Sequence, residues 1–234
     1  MRKPLPPIEM IRIVAQGLGD LRSEVAFLGG AILGLLITDP AARDARPTED
    51  VDLIFEVATT IGYSLFEDKL RKLGFANVIE GPICRFRYSG ILLDLMPTSD
   101  EILGFGNRWY STALKEAEER DLGEGLICRV ITAPCFLATK LEAFDSPTRE
   151  NHRDYLASRD FEDVVTVIDG RPEIVDEVAS APDAVRTFLN ERLAAHLQHD
   201  RFEEGVAAHL DLDFASRARV HTVLKRFQAI AGPN

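Results

Sequence analysis

The sequence predicts an α/β domain followed by a helical one, with the change near Ala133. Short apolar runs bounded by glycine and proline turns recur before that point and stop after it, whereas from Pro134 onward the apolar residues keep helical spacing. The third observation is Thr48 to Glu56, TEDVDLIFE, where Asp50 and Asp52 stand two apart in an apolar run. Period-two geometry sends both carboxylates to one face of a strand and Val51, Leu53 and Phe55 to the other. The expected domains are residues 1–132 and 133–234.

Pro6 to Leu21 reads as an opening helix, because Ile8, Ile11, Ile13, Val14 and Leu18 recur at near-helical spacing and Pro7 suits a first turn. Val25 to Leu28 follows as a strand, then Gly29-Gly30 and the apolar, helix-like Ala31 to Ile37. Glycine lets a backbone approach an anion closely and a helix start presents free amides, so this arrangement can cradle phosphate. Thr38 to Thr48 is a loop carrying Arg43 and Arg46 toward the D-x-D strand. Thr59 to Leu73 has helical periodicity, closed by Gly74. Strands return at Ala76 to Glu80, Ile83 to Tyr88 and Ile91 to Met96, separated by Gly81-Pro82 and Ser89-Gly90 turns. Ser99 to Asp121 reads as helical with a break near Gly104 to Asn107, and Leu126 to Ile131 as one more strand. Beyond Ala133 the expected helices are PCFLATKLEAF with Pro134 in its first turn, Arg159 to Asp169 capped by Ser158, Pro182 to Leu197, Arg201 to His209 and Phe214 to Ala231.

At 46% hydrophobic and 28% charged residues the composition is that of a globular protein. No apolar stretch approaches the roughly 20 residues that span a bilayer, and MRKPLPPIEM lacks the apolar core of a secretory signal. Cys84, Cys128 and Cys135 have no metal-type spacing and read as reduced thiols, which suits a cytoplasmic protein. The five histidines form no metal or catalytic spacing. Net charge is −11, and residues 1–132 carry 15 basic and 20 acidic side chains against 12 and 18 in the remainder. Both halves are acidic, which argues against a surface that grips nucleic acid throughout. The exception is Ala215 to Gln228, where Arg217, Arg219, Lys225 and Arg226 occur without an acid, either to hold an anionic partner or as a solvated helix face.

Two carboxylates two residues apart repel, and their burial is costly unless a cation neutralises them. The later run GILLDLMPT sets Asp94 alone among apolar residues, which makes it the natural third partner of Asp50 and Asp52. Three carboxylates on one sheet face form a hard oxygen site suited to magnesium, which keeps several waters and takes substrate phosphates as ligands.

Gly29-Gly30, then Asp50-Val51-Asp52, then Asp94 on a later strand, is an order that resembles the polymerase-β-like nucleotidyltransferase superfamily. The resemblance implies a mixed sheet flanked by helices, followed by a C-terminal helical domain that completes the nucleotide and acceptor cleft. It further implies that Asp50 and Asp52 hold magnesium or manganese with the triphosphate, that Asp94 helps activate the acceptor hydroxyl, and that Gly29, Gly30 and Thr48 contact phosphate. CFLATKLEAF and SRDFEDVVTVIDG resemble the K-L-x-A and K/R-D-x-x-D motifs of the AbiEii-like branch, the toxins of type IV toxin–antitoxin systems, which selects Lys140 and Asp160 for the nucleotide, with Asp163 as the second acid. The activity implied is transfer of NMP from an NTP to a hydroxyl of RNA, the 3′ end of tRNA included, with a cognate antitoxin as partner. The alternatives are a small-molecule acceptor of aminoglycoside or lincosamide type, and a catalytically silent nucleotide- or partner-binding module.

Overall fold

The apolar runs before Ala133 assemble into one mixed sheet. The computed structural model describes residues 5–43, 45–149, 151–210 and 214–232, the side chains of 214–218 excepted. The chain forms two units, residues 1–34 with 46–132 and residues 35–45 with 133–234. Among the described residues the first unit contains strands β1 (Val25–Leu28), β2 (Asp50–Phe55), β3 (Ala76–Asn77), β4 (Arg85–Tyr88), β5 (Ile91–Pro97), β6 (Glu118–Asp121) and β7 (Ile127–Val130), in the spatial order β3-β4-β5-β2-β1-β7-β6. β2 pairs antiparallel with β1 and parallel with β5, and β1 pairs parallel with β7.

Every residue of β1 is buried, as a central strand covered on both faces requires. Helix α1 (Pro7–Leu18) buries Met10, Ile11, Val14, Ala15 and Leu18, a single stripe at helical spacing. The run after Gly29 is less regular than expected: a 3-10 turn over Gly30–Ile32 leads into the four-residue helix α2 (Leu33–Leu36). Helix α3 (Thr60–Lys72) starts where the Thr59 hydroxyl accepts from the Gly62 amide at 3.0 Å. On its inner face Phe66 stacks on Phe55 with ring centroids 4.2 Å apart, and the Tyr63 hydroxyl donates to the Leu95 carbonyl.

Two expectations in this unit need correction. The strand at Ala76 to Glu80 stops after Asn77, and Ile79 stands 99% exposed beyond it. Within Ser99 to Asp121 the one regular helix is α4 (Tyr110–Lys115), and Glu118–Asp121 is a strand. Four charged residues have no strand-like pattern; β6 exists through its antiparallel pairing with β7, and its charges suit an exposed edge.

The second unit is helical: α5 (Ala133–Phe144), α6 (Arg159–Gly170), α7 (Ile174–Ser180), α8 (Asp183–Leu197), α9 (Phe202–Ala208) and α10 (Phe214–Ala231). α7 had no counterpart in the sequence reading. Its core is a chain of rings, with Phe144 5.2 Å from Phe161, Phe161 5.7 Å from Phe202 and Phe202 5.1 Å from Phe227. The Ser158 hydroxyl caps α6 through the Phe161 amide, as expected.

The other end of α6 explains the basic segment. Arg226 donates from Nη1 to the carbonyls of Ile168 and Asp169 at 2.8 and 2.7 Å, and Arg219 bonds the Asp169 carboxylate at 2.7 Å and the Asp39 carboxylate at 2.9 Å. These guanidiniums satisfy the orphan carbonyls and complement the negative end of the helix. Two of the four cations offered for an anionic partner are therefore structural; the Arg217 side chain lies outside the described residues, and Lys225 is exposed.

Candidate active site

The sheet register brings the expected acids together. Asp52 pairs with Asp94 across the parallel β2–β5 ladder, and Asp94 pairs with Arg85 across the antiparallel β4–β5 ladder. Residues paired across a ladder share a face. One row therefore crosses three strands as Arg85, Asp94 and Asp52, with Asp50 on the same face two residues before Asp52. All three aspartates are partly buried, while Val51, Leu53, Leu93 and Leu95 on the other face are fully buried.

The row ends at β1, where Leu28 pairs with Asp52 and is followed by Gly29. Gly29 has φ of 73° and ψ of −165°, and a Cβ there would fall 1.8 Å from Asp52 Oδ2. Only glycine lets the chain turn at this point with a carboxylate lying against it. A Cβ on Gly30 would meet Arg46 Nη2 at 3.3 Å and Thr48 Oγ1 at 3.5 Å, so this backbone, a hydroxyl and a guanidinium lie beside the acids. Thr48 Oγ1 also donates to Asp50 Oδ1 at 3.1 Å.

Arg85 is the residue that the sequence reading missed. Its Nε donates to Asp94 Oδ1 at 2.8 Å and its Nη2 to Asp94 Oδ2 at 2.7 Å, a fork-on-fork pair, and the same Nη2 reaches Asp50 Oδ2 at 3.2 Å. One nitrogen bonding both oxygens keeps the Asp50 and Asp94 carboxylates within about 6 Å of each other. The hydrogen bonds to Asp94 push the guanidinium even further above its ordinary pKa, against a smaller opposing effect of burial. A signal was available in the sequence. Ser89 and Gly90 have φ of 49° and 85°, the mark of a two-residue hairpin turn with both residues left-handed, and that turn pairs Tyr88 with Ile91 and hence Arg85 with Asp94. The alternation Arg85-Phe86-Arg87 sets two cations on the face where Asp50-Val51-Asp52 sets two acids.

The structure splits the other expected cations. Arg46 stands by Gly30, whereas Arg43, in the helical unit, donates to the His209 carbonyl and faces Glu162 at 3.5 Å. The helical unit also gathers Lys140, Asp160 and Asp163: Lys140 Nζ lies 3.1 Å from Asp160 Oδ1 and 2.7 Å from Asp163 Oδ2. Asp163 is 0% exposed, so its carboxylate requires that cation. The amine of Lys140, selected for the nucleotide, is paired with both acids of the later motif.

Three carboxylates on one face are the donor chemistry of a small hard divalent cation. As the side chains stand, no cluster of three or more histidine, cysteine or carboxylate groups among the described residues is gathered for a metal ion. The cation between Asp50 and Asp94 is Arg85. A cleft of about 500 Å³ in the same unit lies beside Phe55, Glu56 and Thr98, at the opposite end of β2, and none of Asp50, Asp52 and Asp94 lines it.

Cys84, Cys128 and Cys135 are free and buried, and burial pushes the thiols of Cys84 and Cys128 up to about 11. Among the described residues no helix is long and apolar enough to cross a membrane.

No known protein family and no curated protein matches the chain. Among solved structures it is similar to an antigenic nucleotidyltransferase-like protein from Paracoccidioides brasiliensis, at 19% identity and a TM-score of 0.49, over 87% of this chain and 93% of that one.

Proposed function

We propose that the chain is a divalent-metal-dependent nucleotidyltransferase that moves NMP from an NTP to a hydroxyl acceptor. The observation that carries this reading is the row in which Asp52 faces Asp94, with Asp50 on the same face and Gly29 turning against the Asp52 carboxylate. Asp50, Asp52 and Asp94 would hold the cation, which when bound would neutralise the charge that develops on the transferring and leaving phosphates. The close backbone at Gly29-Gly30, with Thr48 Oγ and Arg46 beside it, positions the triphosphate. With both helical segments after it short, this stretch contributes by close approach more than by a helix dipole. Asp94 takes the proton of the acceptor hydroxyl as its oxygen bonds to Pα; the bond from Pα to the bridging oxygen breaks and pyrophosphate leaves. On the AbiEii-like resemblance, Lys140 and Asp160 are proposed nucleotide contacts.

RNA, including the 3′ end of tRNA, is the acceptor that the resemblance favours, and a cognate antitoxin goes with that reading. A specific observation favours a second acceptor class: Arg219 and Arg226 of the one basic segment are engaged at the end of α6, in a chain of net charge −11. A compact cationic acceptor of aminoglycoside type suits such a surface. Incubating the protein and magnesium with each α-labelled NTP, against total RNA and against a panel of cationic aminocyclitols, tests both. Label transferred to either acceptor with release of pyrophosphate supports the reading; no transfer with any NTP and manganese or magnesium rejects it.

A further inference from the structure

We infer that Arg85 is a displaceable counter-ion of the carboxylate row: it holds Asp50 and Asp94 in the substrate-free protein and gives them up when a divalent cation arrives with a triphosphate. The inference rests on the proposed metal role of these acids and concerns what must leave for that role to begin.

Both oxygens of Asp94 are engaged by Arg85, Oδ1 by Nε and Oδ2 by Nη2, and Asp50 Oδ2 is bonded by the same Nη2. A metal ion that uses Asp94 would share these two oxygens with the fork and sit close to its positive charge, so guanidinium and metal compete for the same carboxylate.

Arg85 is also placed to move. It is part-exposed, with 22% of its side chain accessible, and it sits on β4, which is covered on its outer edge by only the two-residue β3. Gly81, before the strand, leaves ordinary contact distance beside its stem, since a Cβ there would lie 3.6 Å from Arg85 Cδ. The planar fork that matches a carboxylate matches a phosphate equally well, so the guanidinium has a new partner in the triphosphate that displaces it. Arg87, exposed and two residues along on the same face, adds a second cation for that anion. Metal alone then binds weakly, because it must expel Arg85 without offering it a substitute.

The test is Mn²⁺ binding to the full chain without nucleotide, followed by the electron paramagnetic resonance of free Mn²⁺, in the parent protein and in Arg85→Gln, Arg85→Lys and Asp94→Asn. Arg85→Gln is expected to bind Mn²⁺ at least tenfold more tightly than the parent, with Arg85→Lys between them and Asp94→Asn weakest; tenfold corresponds to ~1.4 kcal/mol. Thermal melting supplies a second readout. Metal-free Arg85→Gln should melt below the parent and recover on adding Mn²⁺, whereas the parent should hardly shift. Equal Mn²⁺ affinity in the parent and Arg85→Gln, with Asp94→Asn weaker than both, overturns the counter-ion role and leaves the metal site standing. No Mn²⁺ binding by any of the four overturns both.

Discussion

Gly29→Ala isolates the contact that joins backbone to site. Gly29 sits at φ 73°, ψ −165°, a region that residues with a Cβ essentially do not enter, and the strain of forcing alanine there is about 1–3 kcal/mol. The new methyl would stand 1.8 Å from Asp52 Oδ2, so the carboxylate must move by more than 1 Å to reach van der Waals distance. Displacement of that size at a reacting centre costs on the order of a hundredfold in rate. Gly30→Ala is the control: its Cβ meets only the far ends of Arg46 and Thr48, at 3.3 and 3.5 Å, and Gly30 carries no positive φ. Urea denaturation followed by circular dichroism should show Gly29→Ala destabilised by about 1–3 kcal/mol and Gly30→Ala within about 0.5 kcal/mol of the parent, and transfer of labelled nucleotide should fall on the order of a hundredfold in Gly29→Ala. Equal stability in the two variants would refute the close approach at Gly29.

Other substitutions test the helical unit. Lys140→Met leaves the fully buried Asp163 without a cation 2.7 Å away and should cost about 3 kcal/mol in urea denaturation, partly restored in Lys140→Met/Asp163→Asn; a loss under about 1 kcal/mol would contradict the buried pair. Arg226→Ala removes two bonds to α6 carbonyls and should destabilise by about 1–3 kcal/mol, whereas Lys225→Ala should be neutral. Burial lowers the pKa of His209 below its ordinary 6.5, although its bond to the Tyr155 carbonyl opposes the shift. Its contribution to stability is therefore complete above pH 6.5 and is lost as pH falls from 6.5 through the lower folded value, because the unfolded chain takes the proton first. His209→Gln should flatten that slope in denaturation curves, and an unchanged slope would reject the assignment.

What was legible in the sequence follows from which interactions are local. TEDVDLIFE and GILLDLMPT betray their strands because an acid within an apolar run keeps period two, and the register then pairs Asp52 with Asp94. Gly29-Gly30 was legible as a turn after a strand, but the physical reason for glycine there, the Asp52 carboxylate against Gly29, depends on the β1–β2 pairing. Arg85 was within reach, since the Ser89-Gly90 turn fixes its partner, yet an arginine on an edge-side strand carries no signal unless the hairpin is counted out residue by residue. β6 could not be read, because Glu118 to Asp121 has no apolar period and becomes a strand only beside β7. The basic segment misled for a related reason: local charge does not show that Arg219 and Arg226 end at carbonyls and carboxylates 50 to 180 residues away in sequence.

Nucleotidyl transfer by the carboxylate row is read out by pyrophosphate release and label transfer from α-labelled NTP in the parent and in Asp50→Asn, Asp52→Asn and Asp94→Asn, each shown to be folded by circular dichroism. The expected result is turnover in the parent and a loss of about 10³-fold or more, ~4 kcal/mol of transition-state stabilisation, in every variant. Parent-like turnover in folded Asp52→Asn or Asp94→Asn would contradict it.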